Sequence, residues 1–320
     1  MSPVLVTGGS GYVGTHLIAA LLRAGRPVRT TVRSVSRSDS ALRAAVRRGG
    51  ADDAGLTVVE ADLSSDDGWA AAVAGCAEIH HVASPIPVAQ PSDPDDLIVP
   101  ARDGTLRVLR AARDAGARRV VLTSSFAAVG YTPKPVPDFT EDDWTDPDVP
   151  GLPPYPRSKT IAERAAWNFD RGATELVVVN PTFILGPTLT TGLGSSMQLL
   201  KMMLEGTMTA VPRQRFGIAD VRDVADLHLR AMAAPEAAGR RFLAVSDTGT
   251  MSFLELADTL RRHFGDRAAR VPAEEAPGPD PARPVIHNDR AKSLGWRPRP
   301  AETTITDSVD SLVDLDLVDL

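Results

Sequence analysis

Residues 4–14 read Val-Leu-Val-Thr-Gly-Gly-Ser-Gly-Tyr-Val-Gly, and no other stretch limits the possible folds of this chain so strongly. Val4 to Thr7 predict a short buried strand. Gly8, Gly11 and Gly14 follow at intervals of three, and a helical apolar pattern starts at once through Leu17, Ile18, Leu21 and Leu22. A strand that breaks into glycines and re-forms as a helix gathers unpaired N–H groups and a positive dipole end at one point, which suits a pyrophosphate. In that reading Gly8 makes the tight turn, Gly11 admits the phosphates to the backbone, and Gly14 lets helix pack on strand. With 25 glycines in 320 residues the spacing alone also arises by chance. The strand–turn–helix context carries the inference; a plain βα turn is the bland alternative.

The next strand, Val28 to Val32, ends where the adenosine ribose of a dinucleotide would lie. NAD sites commonly place an acid there, about 20 residues on, to accept from the ribose 2′-hydroxyl. This chain reads Thr-Thr-Val-Arg-Ser-Val-Ser-Arg-Ser instead, and its first acid is Asp39. A guanidinium fork from Arg33 or Arg37 pairs with a 2′-phosphate and gives a hydroxyl little. The expected cofactor is therefore NADP(H), against the alternative of a solvated basic loop.

Short apolar strands separated by helices continue to about residue 180. They predict an α/β fold with a doubly wound parallel sheet of the Rossmann type. The expected strands are Leu56 to Glu60, Glu78 to Val82, Arg119 to Thr123, Leu176 to Val179 and, late in the chain, Arg241 to Val245. Helices are expected at Val99 to Ala115, from Tyr155 through Phe169, at Ser195 to Glu205 and at Val221 to Met232. The division implied is a core over 1–181, rejoined by about 217–246, and a smaller, mostly helical substrate lobe from 182–216 and 247–320. Two Pro- and Asp-rich stretches, 84–96 and 130–154, leave strand ends on the ligand side, where long loops cover or build sites.

The formal charge of −6 argues against a nucleic-acid partner. Cys76, the only cysteine, excludes an internal disulfide and a thiolate metal cluster. None of the six histidines has a ligand at metal spacing, so no metal is expected. No apolar run approaches the length of a membrane span, and a cytoplasmic monomer or homodimer acting on a small molecule is expected. The stripe Met197, Leu200, Met203 and Leu204 is either lobe packing or a border of the pocket.

Tyr155-Pro156-Arg157-Ser158-Lys159 carries the catalytic expectation. At the start of a helix, positions four apart share a face, so phenol and ammonium enter one space, and Pro156 suits a first turn. A free tyrosine titrates near 10, and an adjacent lysine charge would lower that value. A surface pair explains most such spacings. Here, however, the strand ending in Ser124-Ser125 delivers a hydroxyl to the ligand side of the sheet.

Together these residues resemble the extended short-chain dehydrogenase/reductase family, and most of all its branch of dihydroflavonol reductases, cinnamoyl-CoA reductases and bacterial and yeast carbonyl reductases. The matching elements are VTGGSGYVG, TVRS, ADL at 61–63, HVASP at 81–85, VVLTSS at 120–125, YPRSK, NPTFILGP at 180–187 and DVRDVADLHLRAM at 220–232. The resemblance implies Ser125, Tyr155 and Lys159 as catalytic residues. It implies cofactor contacts from Gly8, Gly11, Tyr12, Val13 and Gly14, from Arg33 and Arg37, from Asp62 and Leu63, and from Val82, Ala83 and Ser84. Tyr155, Lys159, Pro181 and Thr182 would meet the nicotinamide end. Two departures bear on substrate: Gly130 stands where flavonoid reductases carry a substrate-contacting Asn, and YPRSK lacks the cinnamoyl-CoA reductase signature. The segment AEEAPGPDPARP after Arg270 replaces helix found in relatives. The expected reaction is NADPH-dependent reduction of an aldehyde or ketone. The alternatives are an NAD-dependent sugar-nucleotide epimerase or dehydratase, and a non-catalytic NADP-binding sensor.

Overall fold

In the computed structural model, which describes residues 2–85 and 93–320, Val4–Thr7 forms a fully buried first strand, β1, followed by α1, Tyr12–Arg23. Next come β2 Val28–Val32, α2 Val35–Arg48, β3 Leu56–Glu60, α3 Trp69–Val73 and β4 Glu78–His81. The chain continues through α4 Asp95–Asp114, β5 Arg119–Thr123, β6 Asp138–Phe139, α5 Pro154–Asn168 and β7 Glu175–Pro181. The later elements are β8 Phe183–Leu185, α6 Ser195–Leu204, β9 Arg215–Asp220, α7 Val221–Ala233 and β10 Arg241–Ala244. The last are β11 Thr250–Ser252, α8 Phe253–Phe264, β12 Val285–Ile286, α9 Asp289–Ser293 and α10 Ala301–Asp314.

Seven strands form one parallel sheet in the order β10-β7-β5-β4-β1-β2-β3. The order reverses between β1 and β4, and that switch point is where an open α/β sheet leaves a ligand crevice. Leu17, Ile18, Leu42 and Val46 of α1 and α2 cover one face, and Trp69, Val108, Leu109 and Ala166 of α3, α4 and α5 cover the other. Burial on both faces explains why the central strands read as apolar runs rather than alternations. His80 and His81 belong to this core, completely buried, with His81 Nδ1 2.8 Å from Thr7 Oγ1.

A second sheet, β11-β9-β8, backs a separate core in which Met197, Leu200, Met203 and Leu204 meet Phe253, Leu256, Ile305, Val309 and Leu312. The methionine–leucine stripe of α6 is therefore packing. A short segment, 186–188, is held between the two cores. Tyr12 OH donates to Gly186 O at 2.5 Å and His16 Nε2 lies 2.7 Å from Pro187 O. From the other side Ser308 Oγ accepts from Gly186 N at 2.7 Å, and Ser311 Oγ accepts from Thr188 N at 2.8 Å.

The sequence reading and the structure differ mainly at helix boundaries. α4 begins at Asp95 and carries Pro100 in its interior, where the sequence reading starts the helix only at Val99. Pro100 costs the helix one backbone bond but lines the cavity described below. α2 occupies the basic segment after β2, where the sequence reading names no helix. The stretch expected to be a long loop at 84–96 falls in part, at residues 86–92, outside the described residues. The 130–154 stretch contributes the two-residue strand β6, paired with β12.

Candidate active site

The C-terminal ends of β1, β2, β4, β5 and β7 open into a cavity of about 1670 Å³. That exceeds the usual few hundred to 1,000 Å³ of a drug-sized site and leaves room for a dinucleotide beside a second molecule. Gly8 sits at φ +70°, and a Cβ there would lie 2.9 Å from Ala83 Cα, so only glycine fits. A Cβ on Gly14 would meet Gly8 O at 2.5 Å, so the α1 backbone presses directly on the turn. No side chain caps α1, leaving its first N–H groups for a ligand. Thr7 Oγ1 accepts from Val82 N and Ala83 N at 3.1 and 3.0 Å, which pins the turn after β4 beside the glycines. Asp62 closes a turn by accepting from Ser64 N at 2.8 Å, and that bond holds its carboxyl below the usual range. These features fit a dinucleotide lying across the switch point.

Tyr155 enters from the first turn of α5 and Ser125 from the end of β5. Their hydroxyls lie 3.4 Å apart. Ser125 Oγ also accepts from Ala127 N at 3.1 Å, so with Tyr155 donating, the serine proton remains free for a third partner. Lys159, one turn on, donates to Ser84 Oγ at 2.8 Å, and its Nζ lies 5.8 Å from the centre of the Tyr155 ring. Burial pushes Lys159 from 10.5 down to about 8, partly opposed by the Glu163 carboxylate. The phenol does not follow the sequence-based expectation. Burial raises its pKa, and only the Ser125 hydrogen bond pulls it back. The ammonium is tied to Ser84 and lies over the ring, so desolvation decides the direction, and Tyr155 stays a protonated acid.

The neighbouring serines have opposite tasks. Ser124 Oγ turns inward and donates to Glu163 Oε2 at 2.6 Å. The same carboxylate takes Asn180 Nδ2 at 2.7 Å and Arg241 Nε at 2.6 Å, a buried network that the sequence reading misses. Glu163 stands one turn past Lys159 on the same face of α5, and that spacing was the available signal. The wall opposite the glycine turn is aromatic. Phe183, Phe216 and Phe253 cluster with ring centres 4.3 to 5.8 Å apart, and Phe126 and Tyr131 face the same cavity. Pro281, Ala282 and Pro284 complete the rim. At Gly130 a Cβ would stand 2.1 Å from the Phe126 ring, so the phenyl ring fills the place that a side chain there would need.

Of the residues expected at the site, Gly8, Gly11, Tyr12, Val13, Arg33, Asp62, Leu63, Val82, Ala83 and Ser84 line the cavity. So do Ser125, Tyr155, Lys159, Pro181 and Thr182. Gly14 lies behind the turn, and Arg37 stands exposed in the first turn of α2, outside the lining. Of these two arginines, Arg33 is thus the one at the cavity. Among the described residues there is no cluster of potential metal ligands.

A parallel sheet with a glycine turn at its switch point and a Ser–Tyr–Lys set at its strand ends defines a dehydrogenase or reductase of the extended short-chain type. The chain belongs to the NAD dependent epimerase/dehydratase family, whose profile matches residues 4–244. A cinnamoyl-CoA reductase of Medicago truncatula is 34% identical over 97% of this chain and 95% of that protein. A dihydroflavonol 4-reductase of Hordeum vulgare is 31% identical over 77% of the chain and 71% of that protein. Among solved structures, yeast methylglyoxal/isovaleraldehyde reductase complexed with NADPH superposes with a TM-score of 0.82 at 26% identity, covering 99% of this chain and all of that one. Vestitone reductase from alfalfa (Medicago sativa) gives 0.80 at 26%, with 99% and 100% covered.

Proposed function

We propose that this chain is an NADPH-dependent reductase that converts an aldehyde or ketone to the alcohol. The observation that carries the reading is the pair of hydroxyls, Ser125 and Tyr155, 3.4 Å apart in the same cavity as the glycine turn and Arg33. NADPH, when bound, supplies the hydride. Gly8, Gly11, Tyr12 and Val13 would hold its pyrophosphate, Arg33 its 2′-phosphate, Asp62 and Leu63 its adenine. Val82, Ala83, Ser84, Pro181 and Thr182 would border its nicotinamide half. Ser125, through its free O–H, hydrogen-bonds the substrate oxygen and keeps its proton. Tyr155, kept protonated by burial, releases its proton to that oxygen as negative charge develops there. Lys159 would bond the nicotinamide ribose and steady the phenolate left behind.

The relatives named above are reductases, which favours this reading over a sugar-nucleotide epimerase. A non-catalytic sensor has no need of both Tyr155 and Lys159. We take residues 182–216 and 247–320 as the substrate lobe and a cytoplasmic monomer or homodimer as the working state; cell fractionation and sedimentation test the latter. Among the described residues no helix is long and apolar enough to cross a membrane. The direct test follows NADPH oxidation with a panel of aldehydes, ketones, diketones and cinnamoyl-CoA. Turnover with a carbonyl compound, abolished in Tyr155→Phe, is the expected result. Unimpaired turnover in that variant would sink the mechanism.

A further inference from the structure

We infer that Glu163, clamped by Arg241, is a positioning residue that sets the relation of Ser125 to the Tyr155–Lys159 pair; the inference rests on the reductase reading above. The Glu163 side chain is completely buried. Its Oε2 takes Ser124 Oγ at 2.6 Å and Asn180 Nδ2 at 2.7 Å, while its Oε1 takes Arg241 Nε at 2.6 Å and Trp167 Nε1 at 3.2 Å. Ser124 lies at the end of β5, Asn180 in β7 and Arg241 in β10, so one carboxylate ties the catalytic helix to three strands. The tie reaches the reacting groups by two routes. Ser124 directly precedes Ser125, and the amide of Asn180 also donates to the Ser125 carbonyl oxygen at 3.1 Å.

Such a pair is a weak source of stability, because well-packed apolar residues often replace a buried ion pair without loss. What this network does fix is the seat of Ser125 against α5, to the tolerance that proton transfer demands. A second consequence is electrostatic. The groups facing Lys159 are Ser84 beyond β4, His81 on β4, and Tyr155 and Glu163 on α5. Burial drives His81 down to about 3, leaving it neutral, so among these groups Glu163 alone carries a negative charge. Its charge favours the ammonium form of Lys159, which burial disfavours.

Glu163→Gln keeps the shape and removes the charge. The expected result is a kcat about tenfold lower with a smaller change in KM for the carbonyl substrate. NADPH affinity, titrated by fluorescence against pH, should fall away about one unit earlier on the alkaline side. Ser124→Ala leaves the Glu163–Arg241 pair intact and should lower kcat several-fold with the alkaline limb unmoved. A folded Glu163→Gln protein with wild-type kcat overturns the proposal, and so does a fall in kcat with an unmoved alkaline limb, which would leave Glu163 only a packing role. If Glu163→Gln does not fold, Ser124→Ala decides: a lowered kcat at unchanged NADPH affinity supports the proposal, and wild-type kcat overturns it. Activity surviving in Tyr155→Phe would instead remove the reductase reading, while the pH dependence of NADPH binding would still report the Glu163–Lys159 relation.

Discussion

Along one side of the cavity a ligand meets backbone and the ends of consecutive strands: the Gly8–Gly14 turn, the 82–84 turn pinned by Thr7, and the end of β5. Along the other it meets side chains, the rings of Phe126, Phe183, Phe216 and Phe253 and the rim at 281–284, gathered from segments far apart in the chain. The first wall is rigid because its atoms belong to the folded sheet. The second can be re-cut by substitution without disturbing that sheet. A fixed cofactor and a variable substrate follow from this division.

Changes to the side chains that flank the backbone-built wall should hit chemistry and cofactor hardest. Tyr155→Phe is expected to lower kcat by about 10²- to 10⁴-fold, leaving NADPH affinity and the circular dichroism spectrum near wild type. Arg33→Asp should come next. Loss of charge-assisted bonds worth about 1.5–3 kcal/mol should move the NADPH-to-NADH ratio of kcat/KM roughly ten- to hundredfold toward NADH. An unchanged ratio would transfer the 2′-phosphate to another residue. Gly130→Asn probes the other wall. By displacing the Phe126 ring it should change KM for bulky carbonyl substrates by about tenfold, while NADPH affinity and melting temperature stay close to wild type. A large loss of NADPH affinity there would break the distinction between the walls.

The smallest effect separates the walls by stability. Burial holds His80 and His81 near 3 and His16 near 4, and His228 is lowered as well, all in or against the seven-stranded sheet. These folded-state values lie below the unfolded value of 6.5, so the stability they confer is complete above pH 6.5 and is lost as pH falls toward 3. His263 and His287 of the later segments are not buried. Hydrogen exchange at pH 5 against pH 7 should therefore show β1, β4 and α7 losing protection before α8 and α10.

The cofactor wall was legible in the sequence because its signal is local: strand, glycines and helix within 20 residues, with Arg33 at the next strand end. The aromatic wall was not, since nothing local says that Phe216 and Phe253 meet or that Phe126 faces the same cavity. The serine pair lay between these cases. Adjacent residues of an extended segment face opposite ways, so only one of Ser124 and Ser125 could meet Tyr155, but which one came from resemblance and not from the spacing. The sense of the Tyr155 shift was missed for a related reason. Sequence proximity of Lys159 is visible, whereas the depth of burial that outweighs it is a property of the assembled fold.

The segment 186–188 is gripped from both sides, by Tyr12 and His16 of α1 and by Ser308 and Ser311 of α10. A hinge that opened the cavity by swinging the later core away would have to give up these bonds together, each worth about 1 kcal/mol net. Opening of that kind would cost about 4 kcal/mol from these bonds alone, a penalty set by the fold and not by either ligand.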